Sequence, residues 1–381
     1  MQTSLARLLL TLVLFAASYA PAYGQAAEVP ERGTGSIRVR LLNPPTTGQL
    51  RFELYDQAVT FGRVSDPSRV WTFPPNGGEV YELMGIEPGV YALGAHHDED
   101  SNNRIDKNFI GIPIEAIAFS RGYRPKGPPV YARANFTVIA GEQLEFEMET
   151  EYVLGKRGLI SVGVGAIGRS LPYKDSDSGV FQPIPAITFN GERLQWFGPS
   201  LIYGLVGSDR VRLAATASYR LRTYEEDDAD VLAGLGDRED TLMAGLSVIA
   251  ELPYGINGSI GYQHDVLNQI GGGGANAQIQ RGFQTGVTRF TPRLGLLWQS
   301  DDLANHDFGV PTSAALAGRP AYDVGDYVSF ELGVGTFIEI TREWRVVADL
   351  AVEFLPSEVT NSPLVGDDYV LKGFFAVTYV F

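Results

Sequence analysis

Hydrophobic and polar residues alternate along most of this chain, and the length of the alternating stretches changes partway. Between 35 and 151 the stretches are short: 36–41, 49–55, 80–83, 89–95, 130–138 and 143–149, each bounded by turn residues. Period two at that spacing predicts a small β-sandwich without amphipathic helices. In the last stretch Gln143, Glu145, Glu147 and Glu149 oppose Leu144, Phe146 and Met148, so one face is wet. Beyond a linker at Gly155, Lys156 and Arg157 the stretches lengthen to what a tilted membrane strand needs. Val211, Leu213, Ala215, Ala217, Tyr219 and Leu221 oppose Arg210, Arg212, Thr216, Ser218, Arg220 and Arg222. Val328, Phe330, Leu332, Val334, Ile338 and Ile340 oppose Ser329, Glu331, Gly333, Gly335 and Glu339. Trp344, Val346, Ala348, Leu350, Val352 and Phe354 oppose Arg345, Asp349 and Glu353. The last stretch ends the chain: Leu371, Phe375, Val377, Tyr379 and Phe381 share one face, and Lys372, Phe374, Ala376, Thr378 and Val380 share the other.

A strand that closes a sheet and faces lipid on one side has this form. The fold expected is therefore all-β: a small periplasmic β-sandwich at 35–151, then an antiparallel transmembrane β-barrel at 155–381. Long polar connections at 171–180, 224–239, 268–274, 301–326 and 356–368 alternate with short ones, as outer loops alternate with periplasmic turns. Eleven strands are plain, and an even count is needed if both ends are periplasmic. Residues 192–205 supply a twelfth if Gly198 and Pro199 reverse the chain; ten strands is the alternative. The arginines at 210, 212, 220, 222, 293 and 345 are expected to face inward against Glu331, Glu339, Asp349 and Glu353, because lipid penalises charge. A narrow lumen filled this way conducts little or nothing. Trp298 and Trp344 are expected at the membrane interface.

The N-terminus changes the picture in one respect. Arg7, the apolar run 8–17 and Ala22-Tyr23-Gly24 form a secretory signal peptide at 1–24, too short to span a membrane. The expected location is the outer membrane, with the sandwich in the periplasm and membrane lipid as one partner. Glycine is abundant, 44 of 381 residues, and there is no cysteine, so disulfide staples and thiolate chemistry are excluded. A net charge of −15 argues against nucleic acid.

The C-terminal unit resembles the MltA-interacting protein (MipA/OmpV) family of outer-membrane proteins. Leu171-Pro172-Tyr173-Lys174-Asp175 and Pro183-Ile184-Pro185-Ala186-Ile187 carry the likeness, with Tyr262-Gln263-His264-Asp265-Val266, Thr291-Pro292-Arg293-Leu294-Gly295 and Ser362-Pro363-Leu364-Val365. The resemblance implies a barrel; family roles include a scaffold for cell-wall enzymes and porin-like or adhesive behaviour. The N-terminal unit resembles the uncharacterised DUF2141 family through Pro88-Gly89-Val90-Tyr91-Ala92 and the string from His97 to Asn108. Ala118 stands where that family usually has glycine.

One constellation has ligand spacing. Asp98, Asp100, Asn102 and Asp106, with the Arg104 backbone carbonyl, match the first part of an EF-hand-like loop for Ca²⁺. Asn103 stands where glycine usually turns the chain. Phe109 stands where the bidentate glutamate belongs, and Glu115 is the nearest substitute. The competing reading is an acidic turn that caps its own backbone. No enzyme is expected: His264 and Asp265 fall on opposite faces of a strand, no serine is presented to the histidine, and the glycine run 271–274 lacks a following Lys-Ser/Thr. The expected role is a non-enzymatic scaffold in which the barrel anchors the sandwich near periplasmic cell-wall enzymes. The alternative is a small-solute channel.

Overall fold

The computed structural model describes residues 33–381 apart from 62–65, 76, 110, 156–157, 177–178 and 209. The segment 1–24, expected to be a signal peptide, and the centre of the linker lie outside the described residues.

The N-terminal unit is a two-layer β-sandwich. Its strands are β1 (Gly35–Leu41), β2 (Gln49–Tyr55), β3 (Arg69–Phe73), β4 (Val80–Ile86), β5 (Gly89–Asp98), β6 (Ile117–Phe119), β7 (Phe136–Val138) and β8 (Gln143–Met148). One layer is ordered β4-β1-β8 and the other β3-β2-β5-β6, with β7 also on β5. Strand β1 pairs parallel with β8, more than 100 residues later in the chain. Period-two side chains bury Ile37, Val39 and Leu41 against Phe52, Leu83, Leu93 and Met148 between the layers. The alternation at 130–138 does not make one strand. Tyr131–Ala134 is a single helical turn, and only Phe136–Val138 extends. Tertiary contacts override the pattern: the Tyr131 ring packs on Phe61 at 5.7 Å, and its amide donates to Gln284 in the barrel.

The C-terminal unit is a closed barrel. Its strands are β9 (Leu159–Ser170), β10 (Gly179–Asn190), β11 (Leu194–Phe197), β12 (Ser200–Gly207), β13 (Val211–Arg220), β14 (Thr241–Leu252) and β15 (Ile256–Asp265). They continue with β16 (Gly273–Arg281), β17 (Phe283–Thr285), β18 (Thr288–Gln299), β19 (Tyr327–Glu339), β20 (Trp344–Phe354) and β21 (Tyr369–Val380). Strands β16 and β17 both pair with β18 and form one stave interrupted at Gly282, so the wall has twelve staves. The last strand closes on the first, Lys372 opposite Arg169 through Val380 opposite Ser161. The reversal at Gly198 and Pro199 is present: Gly198 has φ +53°, and β11 and β12 form a hairpin.

The outward faces are apolar. Val164, Phe181 and Ile260 are 73%, 73% and 67% exposed on the isolated chain, as lipid-facing side chains must be. Trp344 stacks edge-on against Tyr379 at one rim, and Trp298 lies beside Tyr262 at the other. No described helix is long and apolar enough to cross a membrane.

The sandwich carries a titratable pair in its core. His96 is buried, with Nδ1 3.8 Å from Glu53. Burial, reinforced by the charge of Arg51, lowers its pKa from 6.5 to about 4. A histidine depressed in the folded state binds its proton more readily when unfolded. It therefore supports folding fully above about pH 6.5, and that support falls as pH drops towards 4, by up to about 3 kcal/mol for this one group. Thermal unfolding of the full chain in detergent between pH 7 and 4 should lose stability over that window, and His96→Gln should flatten the loss.

Candidate functional site

The barrel interior holds a network of charges built by register. Glu331 and Glu353 are directly opposite on β19 and β20. Two carboxylates so placed repel each other unless a cation lies between them. Lys372 of β21 supplies it, 3.0 Å from Glu331 and 2.7 Å from Glu353. Arg293 of β18 reaches Glu331 at 3.3 Å and forks onto both oxygens of Asp349. Ser329 donates to Glu353 at 2.6 Å. Arg220, at the outer end of β13, pairs with Asp307 at 2.5 Å.

Asp307 belongs to a lid. The connection 301–326 begins with a helix, Asp301–Phe308, whose first turn carries Asp301 and Asp302 and whose N-cap Ser300 accepts from Leu303. This helix folds over the outer mouth. Phe308, Tyr173, Tyr224, Leu232, Val359 and Leu364, from four outer connections, make a hydrophobic core above the lumen. Tyr173 donates to the Asp307 carbonyl at 3.0 Å, and Ser362 donates to that of Phe308 at 2.6 Å. The outer loops are thus a packed cap rather than free polar segments.

The sandwich closes the other mouth. Asn108 donates to the Gly191 carbonyl at 2.9 Å and Arg212 donates to that of Phe109 at 3.0 Å. The Phe109 ring lies against Gly204 on the inner wall, where a Cβ would come within 2.0 Å of it. A second segment bonds the far side of the same rim: Tyr123 donates to Glu339 at 2.8 Å, Arg345 to the Lys126 carbonyl at 2.6 Å, and Lys126 to the Val380 carbonyl at 3.1 Å. Burial, with the neighbouring Glu339 charge and its hydrogen bond, pushes the Tyr123 hydroxyl far above its ordinary range.

Between the caps lies a cavity of about 320 Å³, lined by Arg169, Arg220, Arg293 and Lys372 and by Asp307, Asp349 and Glu353. Of the residues expected inside, Arg212, Arg220, Arg293, Arg345, Glu331, Glu339, Asp349 and Glu353 are on inward positions of the ladder. Arg210 and Arg222 are not. Arg210 is exposed at the turn before β13, and Arg222 pairs with Glu225 in the outer connection. The alternation runs past the strand, but the barrel wall ends first. Arg169, Lys372 and Asp307 were missed as partners; the inward parity of Lys372 is visible in the last strand, whereas Asp307 has no signal before the lid is folded.

The loop at 98–106 closes on itself. Asp98 accepts from the amides of Asn102 and Asn103, and Asn102 donates to Asp100 at 3.0 Å and to Asp106 at 3.1 Å. The Arg104 amide donates to the Asn102 side chain at 2.7 Å. Asn103 has φ +64°, the left-handed turn that the missing glycine would make. Glu115 does come in from the following turn: ligand atoms of Asp98, Asp100 and Glu115 lie within 4.8 Å of one another. Burial opposes the charge on Asp98, but hydrogen bonds from Gln49, Asn103 and Asn102 prevail and lower its pKa. His264 faces outward beside Tyr262, while Asp265 is buried and bonds Thr241, so the two do not act together.

A closed twelve-stave barrel with a lipid-facing exterior, and a sandwich docked at its inner mouth, defines an outer-membrane protein with a periplasmic domain. The chain belongs to the family described as MltA-interacting protein MipA, whose model matches residues 162–381; residues 38–146 match the family described as uncharacterized protein conserved in bacteria (DUF2141). It is similar to outer membrane protein Omp26La of Vibrio anguillarum, 30% identical over 204 residues, covering 53% of this chain and 79% of that one. It is 28% identical over 227 residues to the MltA-interacting protein of Escherichia coli, covering 59% and 91%. Among solved structures, the COG4313 outer membrane channel from Pseudomonas putida F1 matches at TM-score 0.33 and 11% identity over 59% of this chain and 96% of that one, a likeness too slight to bear on function.

Gly204→Val should expel the Phe109 ring and loosen the sandwich from the barrel. Limited proteolysis of the folded protein should then cut between Asp106 and Glu115 much faster than in the parent, with the barrel band unchanged.

Proposed function

We propose that the barrel is a small-solute channel held shut at both ends. The observation that carries this reading is the charged cavity between the two caps. An anchor needs only a filled interior, and buried ion pairs are often less stabilising than apolar packing of the same volume. Ionisable groups at membrane depth are costly and typically mark a path for solutes or ions. The lid is held to the wall through Arg220 and Asp307, so one charge pair joins the cap to the lumen.

A scaffold role is the second reading. It is favoured by the likeness to the MltA-interacting protein of Escherichia coli, which points to a periplasmic cell-wall enzyme as partner. The outer face of the sandwich supports it too: Arg38, Arg40, Glu82, Glu145 and Glu147 form an exposed charged ladder turned away from the hydrophobic core. Planar-bilayer recording on the full-length protein separates the two. The parent should show rare, small openings, and Asp307→Asn should raise their frequency about tenfold, the effect of about 1.4 kcal/mol on a closed-to-open equilibrium. Silence in both proteins, with cell-wall enzymes captured by crosslinking from Glu145, would replace the channel with the scaffold.

For the loop at 98–106 we propose Ca²⁺, supported by its hard oxygen donors and by the arrival of Glu115. Millimolar calcium should raise the melting temperature of the sandwich in the full-length protein, and Asp98→Asn should remove the rise. No change in the parent would leave a self-capped turn.

A further inference from the structure

The barrel wall has a window. Strand β10 pairs with β9 along its whole length, from Gly179 to Asn190. On its other edge it pairs with β11 only at Thr188, Phe189 and Asn190, and Gly198 donates to the Ile187 carbonyl. Above Ile187 the strand has no backbone partner on that edge among the described residues. The free edge, from Gly179 to Ala186, is about 26 Å long at the usual rise per residue. The cause is the short β11–β12 hairpin, which turns at Gly198 and Pro199 while β10 continues outward. On the far side β13 passes the hairpin by only two residues, with Ser218 opposite Ser200 and Tyr219 donating to the Pro199 carbonyl. Val180 packs against the lid and closes the top. The opening is therefore framed by β10, β13, the hairpin turn and the lid.

The sequence of β10 is fitted to an open edge in lipid. The Ile187 carbonyl points to the hairpin side, so residues two and four positions earlier point the same way. Those residues are Pro185 and Pro183. Proline has no amide hydrogen, so two donors that lipid would leave unsatisfied are missing from the edge. The same prolines discourage a strand from another copy from docking there. Phe181, 73% exposed, and Val164 beside Pro185 place the stretch at lipid depth.

Behind the window lies the charged cavity. Phe374 lines it and rests on the hairpin turn, 3.5 Å from where a Cβ would stand on Gly198 and 5.7 Å between ring centres from Phe197. Arg220 and Leu221, at the end of β13, line it as well. Four cations and three carboxylates border the space, and Glu331, paired with both Arg293 and Lys372, brings the charges to four of each sign. Arg220, Arg293 and Lys372 each have an acidic partner within 4 Å. Arg169 has none among the described residues, and its buried Nε has no hydrogen-bond partner. Arg220 also keeps one buried nitrogen unpartnered. Guanidinium nitrogens left without a partner in this cavity suit an anion with acceptor oxygens.

We propose that the window is a lateral portal to the outer leaflet, and that the cavity receives the anionic head of a single-chain amphiphile whose tail lies between β10 and β13. A fatty-acid carboxylate has the required chemistry: one negative head for Arg169, and one narrow apolar tail for a gap framed by Phe181, Phe197 and Leu221. The proposal rests on reading the lumen as a solute site and names the solute class.

The test uses the full-length protein in detergent and palmitate bearing a diazirine in its chain. After irradiation, adducts are mapped by mass spectrometry of peptides. Label should concentrate at Phe181, Phe197 and Leu221 and should be displaced by unlabelled palmitate but not by its methyl ester. Arg169→Gln, checked for folding by heat-modifiable mobility, should need roughly tenfold more palmitate for the same displacement, the size expected for one charged hydrogen bond. Label spread evenly over Val162, Ile260 and Leu294, or displaced equally by the methyl ester, would overturn the proposal without the need for any variant. Displacement by butyrate as effective as that by palmitate would overturn the lateral portal while leaving an anion site fed from water. The bilayer recordings on Asp307→Asn bear on gating alone, so failure of the portal and failure of the channel are distinguishable.

Discussion

Lipid offers no hydrogen bonds to a backbone, and the barrel follows from that restriction. Ring closure between β9 and β21, some 210 residues apart in sequence, removes the free edges at the seam. Closure also fixes which side chains meet inside. Glu331 and Glu353 are neighbours because the β19–β20 register makes them so, and Lys372 must then stand between them. The long edge left open on β10 lacks two of its amide hydrogens through Pro183 and Pro185. Closed and open parts of the wall thus answer the same constraint in different ways.

The caps add a second principle. A barrel of this size does not fill itself, and its two mouths are closed by unlike means. The outer cap is a hydrophobic core assembled from connections that are polar as text: Tyr173, Tyr224, Phe308 and Leu364 come from four separate loops. The inner cap is mostly polar, a set of hydrogen bonds from residues 108–134 to the rim, with one ring inserted. Burial of apolar surface resists opening, whereas polar contacts at a wet rim exchange with water at small net cost. The two ends therefore differ in how readily they can give way.

Much of this was legible in the residues. Period two separates lipid face from lumen without any knowledge of partners, which is why Glu331, Asp349 and Glu353 were placed inside correctly. An even strand count requires a hairpin at 192–205, and β11 and β12 are that hairpin. What alternation cannot supply is where a strand stops, so Arg210 and Arg222 were counted inward when the wall ends short of them. It cannot supply pairings either. Arg220 meets Asp307 across 87 positions of chain, through a helix set by the Ser300 cap rather than by any strand pattern. The segment 130–138 fails for the same reason: its partners, Phe61 in the sandwich and Gln284 in the barrel, are distant in sequence. The metal-like spacing at 98–106 was visible, while the entry of Glu115 depended on the fold of the next turn.

The footprint of the sandwich on the barrel has a consequence for biogenesis. Its contacts fall on Gly191, Gly204, Arg212, Gln284, Glu339, Arg345 and Val380, residues of staves from both ends of the ring and its middle. An unclosed sheet does not present these positions on one circle. The domain precedes the barrel in the chain and has its own core, so it is made before its seat exists. Full engagement needs the closing strand in place beside the first: Lys126 grips the Val380 carbonyl of β21, and Asn108 grips Gly191, just past β10. Only a complete wall offers the periplasmic domain all of these contacts together.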